Sequence, residues 1–251
     1  MIASIEHGRV RELRLARPPV NALNPALMTA LREAIAQAGR DGCGGVVLSG
    51  APGRFSGGLD VPELLRLGRP EIGETWSLFL ALMRDIATSE FPIAAAITGH
   101  SPAGGTVLAI FSDYRVMAEG PYVIGLNEVQ VGLPLPEVLF EALVRVVGPR
   151  QAERLAVLGL LVDPGEALRL GLVDEVVPPD DVVPRALGWM GELLARPALA
   201  RSRTRAMARR GLHEAFDTVT PAFIDSIVEH WFSAETQAVM RTLSAKLGKR
   251  G

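Results

Sequence analysis

Two glycine-rich stretches and one glutamate are the parts of this sequence that could do chemistry. The first stretch reads Phe55-Ser56-Gly57-Gly58-Leu59-Asp60 and runs into Val61-Pro62-Glu63-Leu64-Leu65. Asp60 and Glu63 make a capping-box-like pair with Pro62 in the first turn, so a helix is predicted to start there. The Leu59 amide then lies at a helix N-terminus, where N–H groups lack intrahelical partners and the helix dipole favours an anion. The second stretch, Pro102-Ala103-Gly104-Gly105, opens an apolar helix predicted over 106–111, and the Gly104 amide is in the same situation. Two such amides aimed at one point bind a carbonyl oxygen that gains negative charge during a reaction. Glycine, lacking a Cβ, lets a substrate approach the backbone closely. Glycine spacing alone fits two ordinary strand-to-helix turns equally well. Neither stretch matches a dinucleotide-binding fingerprint or a phosphate-binding loop with its lysine.

The glutamate is Glu128. Val123, Ile124, Leu126 and Val129 surround it in sequence, a setting that desolvates a carboxylate and raises its pKa toward that of a useful general base. On an exposed turn the same residue would simply be solvated, as most glutamates are. Glu137 is a second candidate acid or base, although a glutamate after Pro136 also suits the first turn of a helix. Asp60 reads as a helix cap and Asp113 as a loop partner for backbone groups. His100 and Ser101 are adjacent, but no aspartate stands near them, and sequence neighbours need not face each other. His7, His213 and His230 are scattered and Cys43 is the lone cysteine, so no metal site is expected.

Positioning these groups takes a scaffold of alternating elements. Residues 2–6 and 10–15 alternate as strands about the turn His7-Gly8-Arg9. A helix is predicted over 26–38, with Asn24 as its cap and Pro25 at its first position. Residues 45–49 form a buried strand, 51–58 a loop, and helices follow from 61–67 and over 75–89. A second buried strand at 93–98 leads into the second glycine stretch, and strands are predicted at 114–118 and 122–124. The unit of strand, glycine loop and helix thus occurs twice, which argues for an α/β core. Beyond about residue 180 only helices are predicted, at 183–194, 198–210 and 221–247. With no strand left to cover, their apolar faces must pack back on the core or on another subunit. The chain divides into a core over 1–182 and a helical C-terminal region over 183–251.

Composition sets the outer bounds. The chain has 251 residues, 48% of them hydrophobic, enough for one large core. A net charge of -2 carries no basic excess, which speaks against a nucleic-acid partner. No apolar run is long enough to span a bilayer. Residues 1–17 alternate apolar and charged side chains, unlike a signal or transit peptide. One cysteine allows no internal disulfide, which fits a reducing compartment, and a cytoplasmic location is the expectation.

Five blocks in order resemble the crotonase (enoyl-CoA hydratase/isomerase) superfamily. They are Pro19-Val20-Asn21-Ala22-Leu23, the stretch from Phe55 to Asp60, Pro102 to Gly105, Gly125-Leu126-Asn127-Glu128 with Val131-Gly132, and Leu158 through Pro178. The third, fourth and fifth are most similar to the mitochondrial-type Δ3,Δ2-enoyl-CoA isomerases. This resemblance implies a spiral of repeated β-β-α units with a C-terminal helical trimerisation region. It implies an acyl-CoA thioester substrate, no cofactor apart from the coenzyme A that the substrate carries, and a homotrimer or dimer of trimers. By the same match, the Leu59 and Gly104 amides are the oxyanion donors and Glu128 the catalytic carboxylate. Ala22, Ser56, Gly57, Gly58, Asp60 and Asn127 line the substrate site. Burial of Phe223, Ile227, Trp231 and Phe232 between subunits is expected.

Hydratases of that superfamily carry a second glutamate three residues beyond the oxyanion glycine, where this chain has Val107. Adding water needs a group that holds and deprotonates the water. Moving a double bond needs one base, which takes a proton from C2 and returns it at C4. Val107 therefore favours a Δ3,Δ2-enoyl-CoA isomerase. The alternatives are a hydratase or other acyl-CoA reaction using Glu128, with Glu137 as a further group, and a non-catalytic CoA-binding scaffold subunit. Some branches place a carboxylate just after the glycine matching Gly132, and Glu137 lies one residue beyond that place. Glu128 beside two intact glycine loops speaks against the scaffold.

Overall fold

The structure, a computed structural model, describes residues 1–247; the end of the predicted helical tail, Lys249 included, lies outside the described residues. A six-stranded sheet runs in the order β1 (Ile2–His7), β2 (Val10–Leu15), β3 (Gly45–Ser49), β5 (Ile93–Ile97), β7 (Tyr114–Ala118) and β9 (Glu175–Val177). Only the β1–β2 hairpin is antiparallel; the other pairs run parallel. Every residue of β3, β5 and β7 is buried, as strands covered on both faces must be, which is why they read as continuous apolar runs. A second sheet holds β4 (Gly53–Arg54), β6 (Gly99–Pro102) and β8 (Ile124–Gly125), all parallel. Three times, at β3–β4, β5–β6 and β7–β8, the chain adds one strand to the large sheet and one short strand to the small sheet before a helical segment. This is the repeated β-β-α spiral.

The helices are α1 (Pro25–Arg40), α2 (Val61–Leu64), α3 (Arg69–Thr88), α4 (Gly104–Phe111), α5 (Glu137–Val147) and α6 (Pro149–Leu158). They continue with α7 (Pro164–Leu170), α8 (Val182–Leu194), α9 (Ala198–Ala208), α10 (Arg210–Glu214), α11 (Pro221–Trp231) and α12 (Ala234–Leu247). As predicted, the Asn24 side chain caps α1 by accepting the Leu27 N–H at 2.9 Å. Apolar side chains of α1, α3 and α4 share one core with the inward face of the large sheet. The other face is covered by α8, whose Val182, Ala186 and Met190 pack on Val47, Ala94, Ala96 and Val116.

Several expectations need correction. Both glycine loops contain strands, β4 and β6, which are too short to show any alternation in sequence. The predicted strand 122–124 is shorter and shifted, to Ile124–Gly125. The single helix predicted over 221–247 is two, because the chain breaks at Phe232 and Ser233 and the Ser233 hydroxyl accepts the Thr236 N–H at 3.2 Å to start α12. The face of α11 expected between subunits is largely spent inside the chain. Trp231 and Ile227 are buried there and Phe223 and Phe232 half-buried, because α11 lies along α3. Arg69, on α3, sits over the Phe232 ring at 5.0 Å.

Candidate active site

The first amide is set by a bridge to the segment before α1. The Leu23 N–H donates to the Gly58 carbonyl at 2.7 Å, and the Asp60 N–H donates to the Leu23 carbonyl at 3.0 Å. In a parallel bridge of this kind the residue between, Leu59, turns its own N–H away from Leu23. Among the described residues that N–H meets no protein acceptor. Side chains fix the loop around it. Asn21 has φ 52, a left-handed conformation that asparagine tolerates. Its Oδ1 accepts the Arg17 N–H at 2.8 Å and its Nδ2 donates to the Phe55 carbonyl at 3.1 Å. The Ser56 hydroxyl donates to the Asn21 carbonyl at 2.8 Å and accepts the Gly58 N–H at 3.2 Å. The Gly57 N–H donates to the Val20 carbonyl at 2.8 Å. As predicted, Asp60 caps α2, accepting the Glu63 N–H at 3.1 Å, and it pairs with Arg17 at 2.7 Å.

The second amide follows a sharp turn. Ala103 has φ 48 and ψ −120, a conformation that L-residues avoid, and its N–H donates to the Gly125 carbonyl at 2.8 Å. The chain then enters α4 at Gly104 with no side-chain cap, so the first N–H groups of that helix stay open. The two loops touch. A Cβ on Gly58, where φ is 82, would stand 3.3 Å from the Gly104 nitrogen; a Cβ on Gly104 would stand 3.3 Å from the Gly58 Cα and 2.9 Å from Leu23 Cδ1. Glycine at both positions is what lets the two loops approach this closely.

Glu128 begins a 3₁₀ turn, Glu128–Val131, that leaves β8 and ends at Gly132, a left-handed residue. The turn is tied to the second loop, because β8 pairs with β6 just before Ala103. Glu128 is 9% exposed and its Oε2 has no hydrogen-bond partner. Burial pushes its pKa up to about 7, with its own backbone amide pulling the other way. Val107, one turn into α4, is fully buried and apolar.

The remaining candidates fall outside this group or serve it from behind. Glu137 is exposed at the start of α5 and lines a cavity of about 100 Å³ with Trp76, Leu133 and Phe223. Ala22 and Asn127 are half-buried. The Ala22 carbonyl accepts from Arg17 at 3.0 Å and the Asn127 carbonyl accepts the Gln130 N–H at 3.0 Å. His100 is exposed and Ser101 buried on β6, and the His100 Nδ1 accepts the Val123 N–H at 3.3 Å, so they form no dyad. Asp113 accepts the Ile93 N–H at 2.9 Å, as expected, and also pairs with Arg205 and Arg209. Asn21 and Thr106 were not singled out from the sequence as site residues. An asparagine just after Pro18-Pro19-Val20 was a usable sign of a left-handed turn; nothing in sequence marks Thr106.

Two N–H groups without protein acceptors, on loops that touch, can hold a carbonyl oxygen that turns anionic, and a carboxyl with pKa near neutrality can take and return a proton. Comparison with known proteins gives this geometry its family context. The enoyl-CoA hydratase/isomerase family model matches residues 6–235. Mitochondrial enoyl-CoA delta isomerase 1 of Mus musculus is 40% identical over 204 residues, 80% of this chain and 71% of that protein. The crystal structure of human mitochondrial Δ3-Δ2-enoyl-CoA isomerase superposes with a TM-score of 0.94 at 32% identity, covering 99% of this chain and 98% of the other. That of the enoyl-CoA hydratase EchA3 from Mycobacterium ulcerans gives 0.82 at 30% identity, covering 92% and 99%.

Proposed function

The chain belongs to the enoyl-CoA hydratase/isomerase family, and we propose that it is a Δ3,Δ2-enoyl-CoA isomerase in which Glu128 does the proton transfer. The observation that carries this reading is the pairing of a buried, unpartnered Glu128 with an apolar Val107. The thioester oxygen of a 3-enoyl-CoA rests on the Leu59 and Gly104 amides. Ionised Glu128 takes a proton from C2, giving a dienolate whose charge sits on that oxygen. The same carboxyl returns the proton at C4, and the double bond ends at C2. The thioester carbonyl is the electron sink, so the reaction runs without a further cofactor. Val107 offers nothing to orient an attacking water, which separates this site from a hydratase. The oligomer in this reading is a homotrimer in the cytoplasm. The apolar Val129, Val157 and Leu158 side chains, 47%, 64% and 57% exposed, support an interface near the Glu128 turn. A stable monomer in sedimentation at micromolar concentration would exclude the trimer.

The test is turnover of a 3-enoyl-CoA followed by the ultraviolet absorbance of the conjugated product. Glu128→Gln is nearly isosteric and should lose about 10²–10⁴-fold in kcat while still binding the thioester. Full activity in that variant, with loss in Glu137→Gln, would move the base to α5. Rapid hydration of a 2-enoyl-CoA by the wild type would overturn the isomerase reading.

A further inference from the structure

The small sheet is tied to α4 by one side chain next to the proposed base. In the parallel pair β6–β8, Ser101 faces Ile124 and Pro102 faces Gly125. The Ser101 N–H donates to the Val123 carbonyl at 2.9 Å, and the Ala103 N–H to the Gly125 carbonyl at 2.8 Å. The register of this pair places a third bond between these two, from the Gly125 N–H to the Ser101 carbonyl. The Thr106 hydroxyl joins both of these groups. It accepts the Gly125 N–H at 2.8 Å and donates to the Ser101 carbonyl at 2.5 Å, with the Gly125 carbonyl 3.0 Å away. Thr106 is fully buried in the first turn of α4, two residues after Gly104.

The geometry points to Thr106 as a positioning residue that sets the distance between the proposed base and the oxyanion amides. One hydroxyl joins the helix that presents the Gly104 N–H to the strand that leads, three residues later, into Glu128. Bonded to both strands, it fixes α4 against the small sheet at the point where β8 leaves for Glu128. A side chain of the same shape without the hydroxyl removes the bonds from α4 to both strands, so the helix that carries the Gly104 N–H is free to shift against the strand that carries Glu128. Gly125 has no slack on its other side, since a Cβ there would lie 2.2 Å from the Leu160 carbonyl oxygen. Misplacement of a catalytic group by about 1 Å is enough to cost about 10²-fold in rate. This inference rests on the reading of Glu128 and Gly104 as base and oxyanion donor, and names what spaces them.

The experiment compares Thr106→Val with Thr106→Ser in the full chain, by kcat and KM on a 3-enoyl-CoA and by exchange of the C2 protons of butyryl-CoA in D2O, read by NMR. Exchange needs only the base and the oxyanion amides. Thr106→Val should lower kcat and the exchange rate about 10–100-fold with KM within about threefold. Thr106→Ser should restore both to within about threefold of the wild type, since it keeps the relay. Wild-type kcat and exchange in Thr106→Val would overturn the proposal. So would a Thr106→Ser as impaired as Thr106→Val, which would put the effect in the methyl group. If Thr106→Val does not fold, Thr106→Ser and Thr106→Cys decide it, the weak thiol donor falling between serine and no activity if the relay matters and equalling serine if it does not. A wild type that exchanges C2 protons without isomerising would sink the isomerase reading and leave the Thr106 comparison standing. A wild type that does neither overturns both.

Discussion

The two strand–glycine–helix units present an amide each, yet they are built differently. In the first, the left-handed turn falls on Gly58, Asn21 and Ser56 brace the loop, and Asp60 caps a four-residue helix while bound to Arg17. In the second, the left-handed residue is Ala103, the eight-residue α4 has no side-chain cap, and Glu128, on the turn after β8, is buried with no partner for its Oε2. Apart from the Leu59 N–H, the first unit satisfies its polar groups internally; the second leaves the start of α4 uncapped. An uncapped helix end aimed at a ligand is a stronger anion site than one whose cap carboxylate already faces the same N–H groups. The second unit should therefore carry most of the chemistry and the first most of the local stability.

The largest expected effect is on rate. Proline at 104 removes the N–H, and its ring must displace Leu23 Cδ1, the flexible tip of a side chain. In protein shown to be folded by circular dichroism, Gly104→Pro should lose about 10²–10³-fold in kcat. Leu59→Pro, which removes the other N–H, should lose about ten times less, because Leu59 precedes the cap of the four-residue α2 and gains little from that helix's dipole. An equal or larger loss at Leu59 would reverse the ranking of the two units.

Next in size is the cost of an unpartnered carboxylate. Burial raises the Glu128 pKa from the model-peptide 4.5 to about 7, so between those values the folded protein holds a proton that the unfolded chain has released. Stability must then fall as pH rises through that window and stay lower above it, by at most about 3 kcal/mol. Glu128→Gln should unfold like the wild type near pH 4.5 and be the more stable protein at pH 8. In the wild type, kcat/KM should rise tenfold per pH unit below about 7 and level off above it, since the base must be ionised. A stability difference that does not change with pH would mean that Glu128 is not buried in solution.

Asp60 gives the opposite sign. Its carboxylate caps α2 and pairs with Arg17, so Asp60→Ala should cost about 1 kcal/mol in denaturant unfolding, while Asp60→Asn, still a good cap, should cost less than half of that. A stabilised Asp60→Ala would erase the contrast between a carboxylate that supports the fold and one that burdens it.

How much of this was legible in sequence follows from the same contrast. The strands β3, β5 and β7 are apolar throughout because both faces are covered, and they announced themselves. So did the caps Asn24 and Asp60, since capping is local chemistry. The small sheet was invisible: β4 and β8 are two residues long and β6 contains Gly99 and Pro102, so none carries a period. The break at Phe232-Ser233 was missed because the apolar pattern continues across it. For the site, the motifs named Leu59, Gly104 and Glu128, and the structure gathers their segments around Gly58 and Gly125. Thr106 could not be read, because its meaning lies in its bonds to two other segments.

The smallest effect is the most discriminating. Ala103 sits at φ 48, ψ −120, where an L-residue costs about 1–3 kcal/mol and glycine little. Ala103→Gly should recover that strain and lose about 0.4–1 kcal/mol to the freer unfolded chain, for a net gain of about 1 kcal/mol in unfolding free energy. The same methyl group does a second thing. It packs on the first loop, where a Cβ on Gly58 would come within 3.0 Å of it, so it holds the two units at a fixed separation. Without it the Gly104 amide gains freedom relative to Leu59, and turnover should fall a fewfold while stability rises. A variant both more stable and equally fast would show that the strain at Ala103 serves nothing in the site. A variant slower and less stable would place the turn among the interactions that hold the fold, as in the first unit.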